Sequence, residues 1–123
     1  MTARVLVYGS LLKGEPNHRL LERATFAGAA RTRAEFTLHD LGAFPGMVAG
    51  GADAVAGEVY EVDGDTLALL DALESHPTWY RRTPITLADG SAAETYLLTP
   101  RHVAGRPVVT SGDWRAHRKE KGR

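Results

Sequence analysis

The feature that most constrains the fold of this chain is a short apolar run that ends in a glycine turn. The run Val5–Tyr8 holds only β-branched, aliphatic or aromatic side chains, and Gly9-Ser10 follows it directly. An apolar run without alternation predicts a central strand that is buried on both faces. Glycine allows unusual backbone angles and lets a ligand approach the main chain. A turn of this kind can gather N–H groups that bind an anion or an oxyanion, although the local pattern alone also describes an ordinary turn.

Composition and charge limit the class of protein. The 123 residues fit one domain, none of them is cysteine, and 15 basic residues balance 15 acidic ones. Without cysteine there is no disulfide, thiolate metal site or cysteine nucleophile. The neutral balance gives no reason to expect nucleic acid or an anionic membrane as a partner. No apolar run reaches the roughly 18 residues that a membrane span needs. We therefore expect a soluble cytoplasmic protein.

The remaining patterns predict an α+β fold, with a small curved mixed sheet or barrel and one main packed helix. Strand patterns recur along the chain, and Asp89-Gly90 between the last two is a strong hairpin signal. A mid-strand Gly57 predicts a bulge or a close backbone approach. The predicted strands cover residues 5–8, two segments within 25–41, 54–62, 79–87 and 92–99, with a possible edge strand at 108–110.

The other segments are predicted as helices, one loop and a tail. His18–Arg23 reads as a short helix, and the best helix runs over Thr66–Glu74, with Asp63 or Asp65 as its N-cap. The apolar segment Gly42–Gly51 is punctuated by glycine and proline, so we expect a loop at the rim of a pocket. Trp114 is expected to pack on the core. One domain is predicted over 1–114, and 115–123 reads as a basic, flexible tail.

The main helix carries a carboxylate on its apolar side. Counting about 100° per residue from Leu67, Glu74 falls at about 340°, within a stripe that the leucines are expected to bury. The stripe comprises Leu67, Leu69, Leu70 and Leu73. Partial burial and the negative end of the helix dipole both raise the pKa of a carboxyl group, which suits proton transfer near neutral pH. Alternatively, Glu74 points to water or pairs with Arg81 or Arg82, and such an ion pair would lower its pKa.

Two rival chemistries have weaker support. Ser10 could be a nucleophile with a histidine base, but its neighbours do not form a Gly-x-Ser-x-Gly elbow. The candidate bases are His18, His39 and His76. A metal site could be built from scattered side chains, none at a ligand spacing. Those side chains are His39, Asp40, His76 and His102.

Several short motifs follow one another in a fixed order over most of the chain. They are Tyr8-Gly9-Ser10-Leu11, Gly57-Glu58-Val59-Tyr60, Leu70-Asp71-Ala72-Leu73-Glu74, His76-Pro77, Tyr80-Arg81-Arg82 and Ser111-Gly112-Asp113-Trp114. This ordered set resembles the γ-glutamylcyclotransferase-like superfamily, which includes AIG2-like proteins and γ-glutamylamine cyclotransferases. The last of the motifs is similar to the γ-glutamylamine branch. One departure is Ser75, where family members often have glycine.

The resemblance implies a cofactor-independent enzyme with the 8–11 loop beside Glu74. The α-amine of a γ-glutamyl group would attack its own γ-carbonyl, which releases an amine and forms 5-oxoproline. Glu74 would be the general acid and base. The backbone N–H groups of Gly9, Ser10 and Leu11 would hold the substrate carboxylate or the oxyanion.

Further candidates for substrate binding are four side chains with alternative structural roles. Tyr8 could orient the substrate or simply end the strand. Tyr80 and Arg82 could brace the chain after the catalytic helix, and Tyr96 could line the pocket or pack within its strand.

Two other functions stay open at this point. The chain could be a member of the fold that binds a small ligand without turnover. It could also remove a γ-glutamyl protecting group in a biosynthetic pathway. Loops at 42–51 and 100–112 would then choose the amine.

Overall fold

A computed structural model describes residues 2–121 of the chain, which form a seven-stranded mixed sheet with two α-helices. Short 3-10 helices cover His18–Leu21 and Pro100–Val103. The strands are β1 (Thr2–Val7), β2 (Thr25–Arg31), β3 (Phe36–Asp40), β4 (Pro45–Ala49), β5 (Ala56–Asp63), β6 (Arg81–Thr86) and β7 (Ala92–Leu98), and the helices are α1 (Gly64–Leu73) and α2 (Trp114–Lys121). No helix in this described range is long and apolar enough to cross a membrane.

The sheet is curved and open. Its strand order is β2-β5-β1-β7-β4-β3, and β6, which lies off this path, pairs antiparallel with β7. Strand β1 runs antiparallel to β5 and parallel to β7. Within residues 2–121, β2 and β6 are joined only near their ends, by an isolated bridge between Thr32 and Leu87. The α+β class is therefore confirmed, and of the two predicted forms the sheet takes the open one rather than a closed barrel.

The central, doubly buried position of β1 is confirmed. Val5 and Leu6 are fully buried, and Val7 nearly so. Val5 and Val7 belong to one apolar cluster, whereas Leu6 belongs to another on the opposite face. This alternation follows from the two-residue period of a strand. Because both faces are covered, the end of β1 and the turn after it lie in the interior.

Of the two predicted alternatives for Gly57, the structure has the close approach of two backbones. A Cβ atom at this position would lie 2.4 Å from the Val7 carbonyl oxygen and 2.9 Å from Leu6 Cδ1. The first of these atoms belongs to the backbone of β1, so it cannot swing aside.

We expect Gly57→Ala to destabilise the protein by about 3 kcal/mol, because overpacking forces β1 and β5 apart. Gly64→Ala is the matched control, since a Cβ atom there meets nothing within 4 Å. Urea unfolding measures both changes. A Gly57→Ala variant as stable as the Gly64→Ala variant would contradict the close approach.

One predicted loop is instead a strand. Residues 45–49 of the Gly42–Gly51 segment form β4, which pairs antiparallel with β3 and parallel with β7. Met47 and Val48 lie opposite Leu97 and Leu98, and this long-range pairing overrides the local glycine and proline signals. The possible strand at 108–110 is reduced to a bridge between His39 and Val108.

The predicted flexible tail is wrong for residues 115–121, which belong to helix α2. Trp114 is buried, as predicted. Arg115 Nη2 donates to Glu58 Oε2 at 2.6 Å, His117 Nε2 lies 2.8 Å from Asp40 Oδ2, and Arg118 pairs with Glu15. These partners lie 57 to 103 residues earlier in the chain, so the local pattern could not reveal them. Gly122 and Arg123 lie outside the described residues.

Candidate active site

Helix α1 presents Glu74 to the protein interior. The Asp63 carboxylate caps the helix by accepting a 2.7 Å bond from the Thr66 amide, and Glu74 is the C-cap residue. Residues four apart share one helix face. Thr66 and Leu70 are buried, so Glu74 continues their line at its C-terminal end. The predicted side of the helix is therefore confirmed for Glu74.

The leucine stripe of α1 is wrong in part. Leu70 is fully buried, and Leu67 is partly buried against the same cluster. Leu69 and Leu73, however, are 52% and 38% exposed. The helix contacts β1, β5 and the first 3-10 helix, so that its buried face is centred on Leu70 rather than on the leucine-rich side.

The Glu74 carboxylate has no hydrogen bond or ion pair with any residue in the range 2–121. In particular, neither Arg81 nor Arg82 binds it, which excludes the alternative ion pair. Burial disfavours the charged form and raises the pKa of Glu74 to about 7. At neutral pH the group is therefore poised between acid and base.

Glu74 shares a cavity of about 250 Å³ with the turn after β1. Leu12 N donates to Gly9 O at 3.1 Å, and Asn17 N donates to Ser10 O at 2.9 Å, which holds the turn in shape. The N–H groups of Gly9, Ser10 and Leu11 donate to no acceptor within the described part of the chain. The lining comprises Val7, Tyr8, Gly9, Ser10, Leu11, Asn17, Phe44, Pro45, Leu73, Glu74, Trp79, Tyr80 and Tyr96.

Three tyrosines form much of the wall. Tyr8 Oη donates to Tyr96 O at 2.6 Å and accepts from Met47 N at 3.2 Å. Tyr80 Oη donates to Pro45 O at 2.7 Å, and Tyr96 Oη donates to Asp71 Oδ1 at 2.7 Å. Burial raises the pKa of each phenol, so all three are neutral near pH 7. Because each hydroxyl donates its proton to an acceptor within the protein, the three rings are held in place as walls of the cavity.

Arg82 does not line the cavity, so the structure does not support it as a substrate-binding residue. Its guanidinium binds Asp71 through Nε–Oδ1 at 3.0 Å and Nη2–Oδ2 at 3.2 Å, and binds Glu94 at 2.9 Å. The Arg82 amide donates to His76 Nδ1 at 3.0 Å. Arg82 thus braces the end of α1 against β6 and β7, as the alternative structural role predicted.

The chain reverses sharply immediately after Glu74. Ser75 has a φ of 54°, in the left-handed region that favours glycine. This conformation suits the glycine that the resemblance implies at this position. Ser75 adopts the same conformation and lets the chain leave the helix directly beyond the carboxylate.

Several residues that line the cavity were not among the predicted site residues, although the segment that holds two of them was predicted to lie near a pocket. Phe44 and Pro45 lie in the segment that was predicted to rim a pocket, and that placement is confirmed although most of the segment is a strand. Asn17 gave no signal; its Nδ2 donates to Ser10 Oγ at 3.0 Å. Leu73 was expected to be buried and Trp79 to begin a strand. Both side chains are instead partly exposed and line the cavity.

The structure forms neither of the two rival sites, the serine nucleophile with a histidine base or the metal site, within residues 2–121. Ser10 Oγ is bound by Asn17, and the nearby His18 uses Nδ1 on Leu11 O at 2.9 Å rather than on the hydroxyl. His76 accepts from Arg82, while His102 lies against Thr99. Among residues 2–121, no group of three or more histidine or acidic side chains could hold a metal ion.

Comparisons with known proteins show which family the chain belongs to. The family described as gamma-glutamyl cyclotransferase, AIG2-like, matches residues 5–116. A Vibrio cholerae protein with the provisional name gamma-glutamylcyclotransferase is 44% identical over 110 residues, which cover 89% of this chain and 93% of the relative. Gamma-glutamylaminecyclotransferase C of Danio rerio is 41% identical over 96 residues, covering 70% and 62%.

A solved structure shares the fold. The solution structure of YtfP from Escherichia coli is 38% identical, has a TM-score of 0.69, and is matched over 90% of this chain and 95% of its own. The match of the family to nearly the whole described chain, together with these relatives, settles the classification. This chain belongs to the AIG2-like gamma-glutamyl cyclotransferase family.

Proposed function

We propose that the protein releases an amine from a γ-glutamyl amide by intramolecular cyclisation. The substrate α-amine attacks the γ-carbonyl carbon, a new C–N bond closes the five-membered ring, and the amide bond to the leaving amine breaks. The proton lost by the α-amine passes through Glu74 to the leaving nitrogen. The products are 5-oxoproline and the free amine, so no co-reactant is consumed.

The observation that carries this proposal is the position of Glu74. Within residues 2–121 its carboxylate has no hydrogen-bond or ion-pair partner, its pKa is about 7, and it lines the same small cavity as three backbone amides that donate to no acceptor in that range. A proton shuttle suits a reaction in which one nitrogen gains the proton that another loses. The amides of Gly9, Ser10 and Leu11 suit the substrate carboxylate or the developing oxyanion.

The cavity also supports a proximity effect. At about 250 Å³ it is smaller than the usual pocket for a drug-sized ligand, so a γ-glutamyl group would have to bind folded. A folded substrate brings the amine close to the carbonyl before reaction, which lowers the entropic part of the barrier.

The test is product formation from a panel of γ-glutamyl amides and γ-glutamyl amino acids. We expect 5-oxoproline and one equivalent of free amine, detected by mass spectrometry, without added metal or cofactor. Binding of a γ-glutamyl compound without release of 5-oxoproline would favour a ligand-binding protein. Release of free glutamate instead would indicate hydrolysis and would contradict the cyclisation.

The pH dependence follows from the raised pKa of Glu74. Because the shuttle begins as a base, we expect kcat/KM to rise about tenfold per pH unit below 7 and to level off above about pH 8. The acidic limb should have an apparent pKa near 7. A profile that is flat between pH 5.5 and 8 contradicts the role of Glu74 as the initial base.

A further inference from the structure

We propose that Glu58 and Arg115 are positioning residues, which hold the turn after β1 in the shape that the reaction needs. This inference rests on the proposed cyclisation, but it concerns two side chains that are not among the described residues lining the Glu74 cavity. It gives a role to Glu58 and to helix α2, neither of which the proposed mechanism uses.

Glu58 holds the turn at both of its ends. On β5 it lies opposite Val7 of β1, two residues before Gly9. Its side chain reaches the far end of the turn, where Oε1 accepts from the Lys13 amide at 3.0 Å. One residue therefore contacts both the strand that enters the turn and the peptide that leaves it. The amides that are proposed to bind the substrate lie between these two points.

Arg115 of α2 binds the same peptide from the other side. Its Nη1 donates to Lys13 O at 3.1 Å, and its Nη2 donates to Glu58 Oε2 at 2.6 Å. The N–H and the C=O of Lys13 are thus bound by side chains of two different elements. Three residues further along α2, Arg118 pairs with Glu15 of the same segment. Hydrogen bonds to charged groups are the strong ones, so α2 and β5 together clamp the end of the turn.

Glu58 is ionised in spite of its burial. The residue is only 7% exposed. Burial alone would raise the pKa of its carboxyl group, but hydrogen bonds from the Lys13 amide, Arg115 and Tyr60 Oη bring that pKa below its usual value. Glu74 is the opposite case, because burial raises its pKa and its carboxylate has no partner in residues 2–121. Of these two glutamates, one suits a charged anchor and the other a proton carrier.

The turn depends on such contacts more than the sheet does. In the described structure, residues 9–17 form neither a helix nor a strand, whereas β1 is paired with β5 along its whole length. The buried Leu11 and Leu12 anchor the middle of the segment, and the clamp at Lys13 fixes its exit. Loss of the clamp should therefore move the turn amides and leave the sheet in place. A displacement of about 1 Å can cost about 100-fold in rate.

Arg115→Ala tests the clamp at a side chain that is 43% exposed, so the fold should persist. With the best substrate of the γ-glutamyl panel, we expect kcat/KM to fall about tenfold or more. We also expect amide hydrogen exchange at Lys13 to become at least about tenfold faster, with the amides of β1 unchanged. Arg23→Ala is the matched control, since it removes an exposed ion pair with Asp63 at 3.0 Å and should change neither quantity.

Glu58→Gln tests whether the two side chains act together. Glutamine keeps one oxygen that can accept from the Lys13 amide, but its NH2 group cannot accept from Arg115. We expect this variant to lose about as much kcat/KM as Arg115→Ala. The double variant should lose little more than Arg115→Ala, because the ion pair is already broken there. Losses that multiply in full would mean that the two residues act independently, and would overturn the clamp.

The outcomes separate this inference from the proposed function. If the wild type releases no 5-oxoproline from any compound, the proposed function fails, and the exchange experiment still decides whether α2 holds the turn. If Arg115→Ala keeps wild-type turnover, or loses it with faster exchange throughout the sheet, the function stands and the positioning role is wrong. A loss confined to kcat supports amides that act on the oxyanion, and a loss confined to KM supports amides that hold the substrate carboxylate. Either result supports the positioning role.

Discussion

Glu74→Gln is expected to reduce kcat by about 10²–10⁴-fold, the usual contribution of a general acid–base group. Glutamine keeps the size of the side chain but cannot accept the proton from the substrate amine. Since the Glu74 side chain makes no hydrogen bond or ion pair within residues 2–121, the substitution removes no such contact. The loss should therefore appear in kcat with the fold preserved.

The measurement is the initial rate of 5-oxoproline formation, with circular dichroism to check the fold. Glu61→Gln is the control, since Glu61 is an exposed glutamate on β5, and it should retain full activity. Glu74→Asp withdraws the carboxylate by one methylene and should give an intermediate loss. If Glu74→Gln keeps more than a tenth of the wild-type rate, the proposed mechanism is wrong even though the family is not in doubt.

The same substitution should stabilise the protein at alkaline pH. Glu74 has a pKa of about 7 in the folded state and an ordinary value of 4.5, so folding disfavours its charged form. The stability of the wild type is therefore greatest below pH 4.5 with respect to this group, and it falls as pH rises through 7. The difference amounts to about 3 kcal/mol at full ionisation. Glutamine never ionises and escapes this loss.

Urea unfolding of both proteins between pH 5 and 8.5 measures the effect. We expect similar stability at pH 5 and a Glu74→Gln variant that is more stable by up to about 3 kcal/mol at pH 8.5. Taking the difference between the two proteins cancels the histidines and the other carboxylates, which both contain. A difference that does not change with pH would mean that Glu74 is well solvated, and both arguments from its burial would fail.

If both results are obtained, the site illustrates a cost of function. A carboxylate held without a partner in a small cavity is unfavourable for folding, yet the same burial brings its pKa to the range that proton transfer needs. The raised pKa is specific to Glu74, because a nearby carboxylate on the same helix has ion-pair and hydrogen-bond partners. Asp71, three residues before Glu74, is bound by Arg82 and Tyr96, and its pKa is lowered.

Local sequence patterns were sufficient to predict where much of the candidate site lies. The apolar run of β1 placed the Gly9-Ser10 turn in the interior, and the helical period put Glu74 on the buried side of α1. Both inferences depend on neighbours within one or two turns of the chain, where geometry is nearly fixed. The hairpin of β6 and β7 and the cap at Asp63 were likewise correct for local reasons.

Other features depend on distant partners. β4 exists because Met47 and Val48 pair with β7, about fifty residues later, and α2 is anchored through Glu58 and Asp40. Arg82 was a candidate for substrate binding until Asp71 and Glu94 were seen to occupy its guanidinium. Short-range propensity cannot reveal such contacts, since pairing in a sheet is decided by whichever strands lie beside each other.

The sequence by itself determined that a glycine turn follows a buried strand and that a carboxylate lies on the inner side of a helix, because backbone periodicity sets both. Only the tertiary structure decided that these two elements share one cavity, that no arginine among residues 2–121 binds the Glu74 carboxylate, and that Phe44, Leu73 and Trp79 line the same cavity. The physical reason is that burial and pairing depend on how the curved sheet packs against α1, which involves residues far apart in the chain.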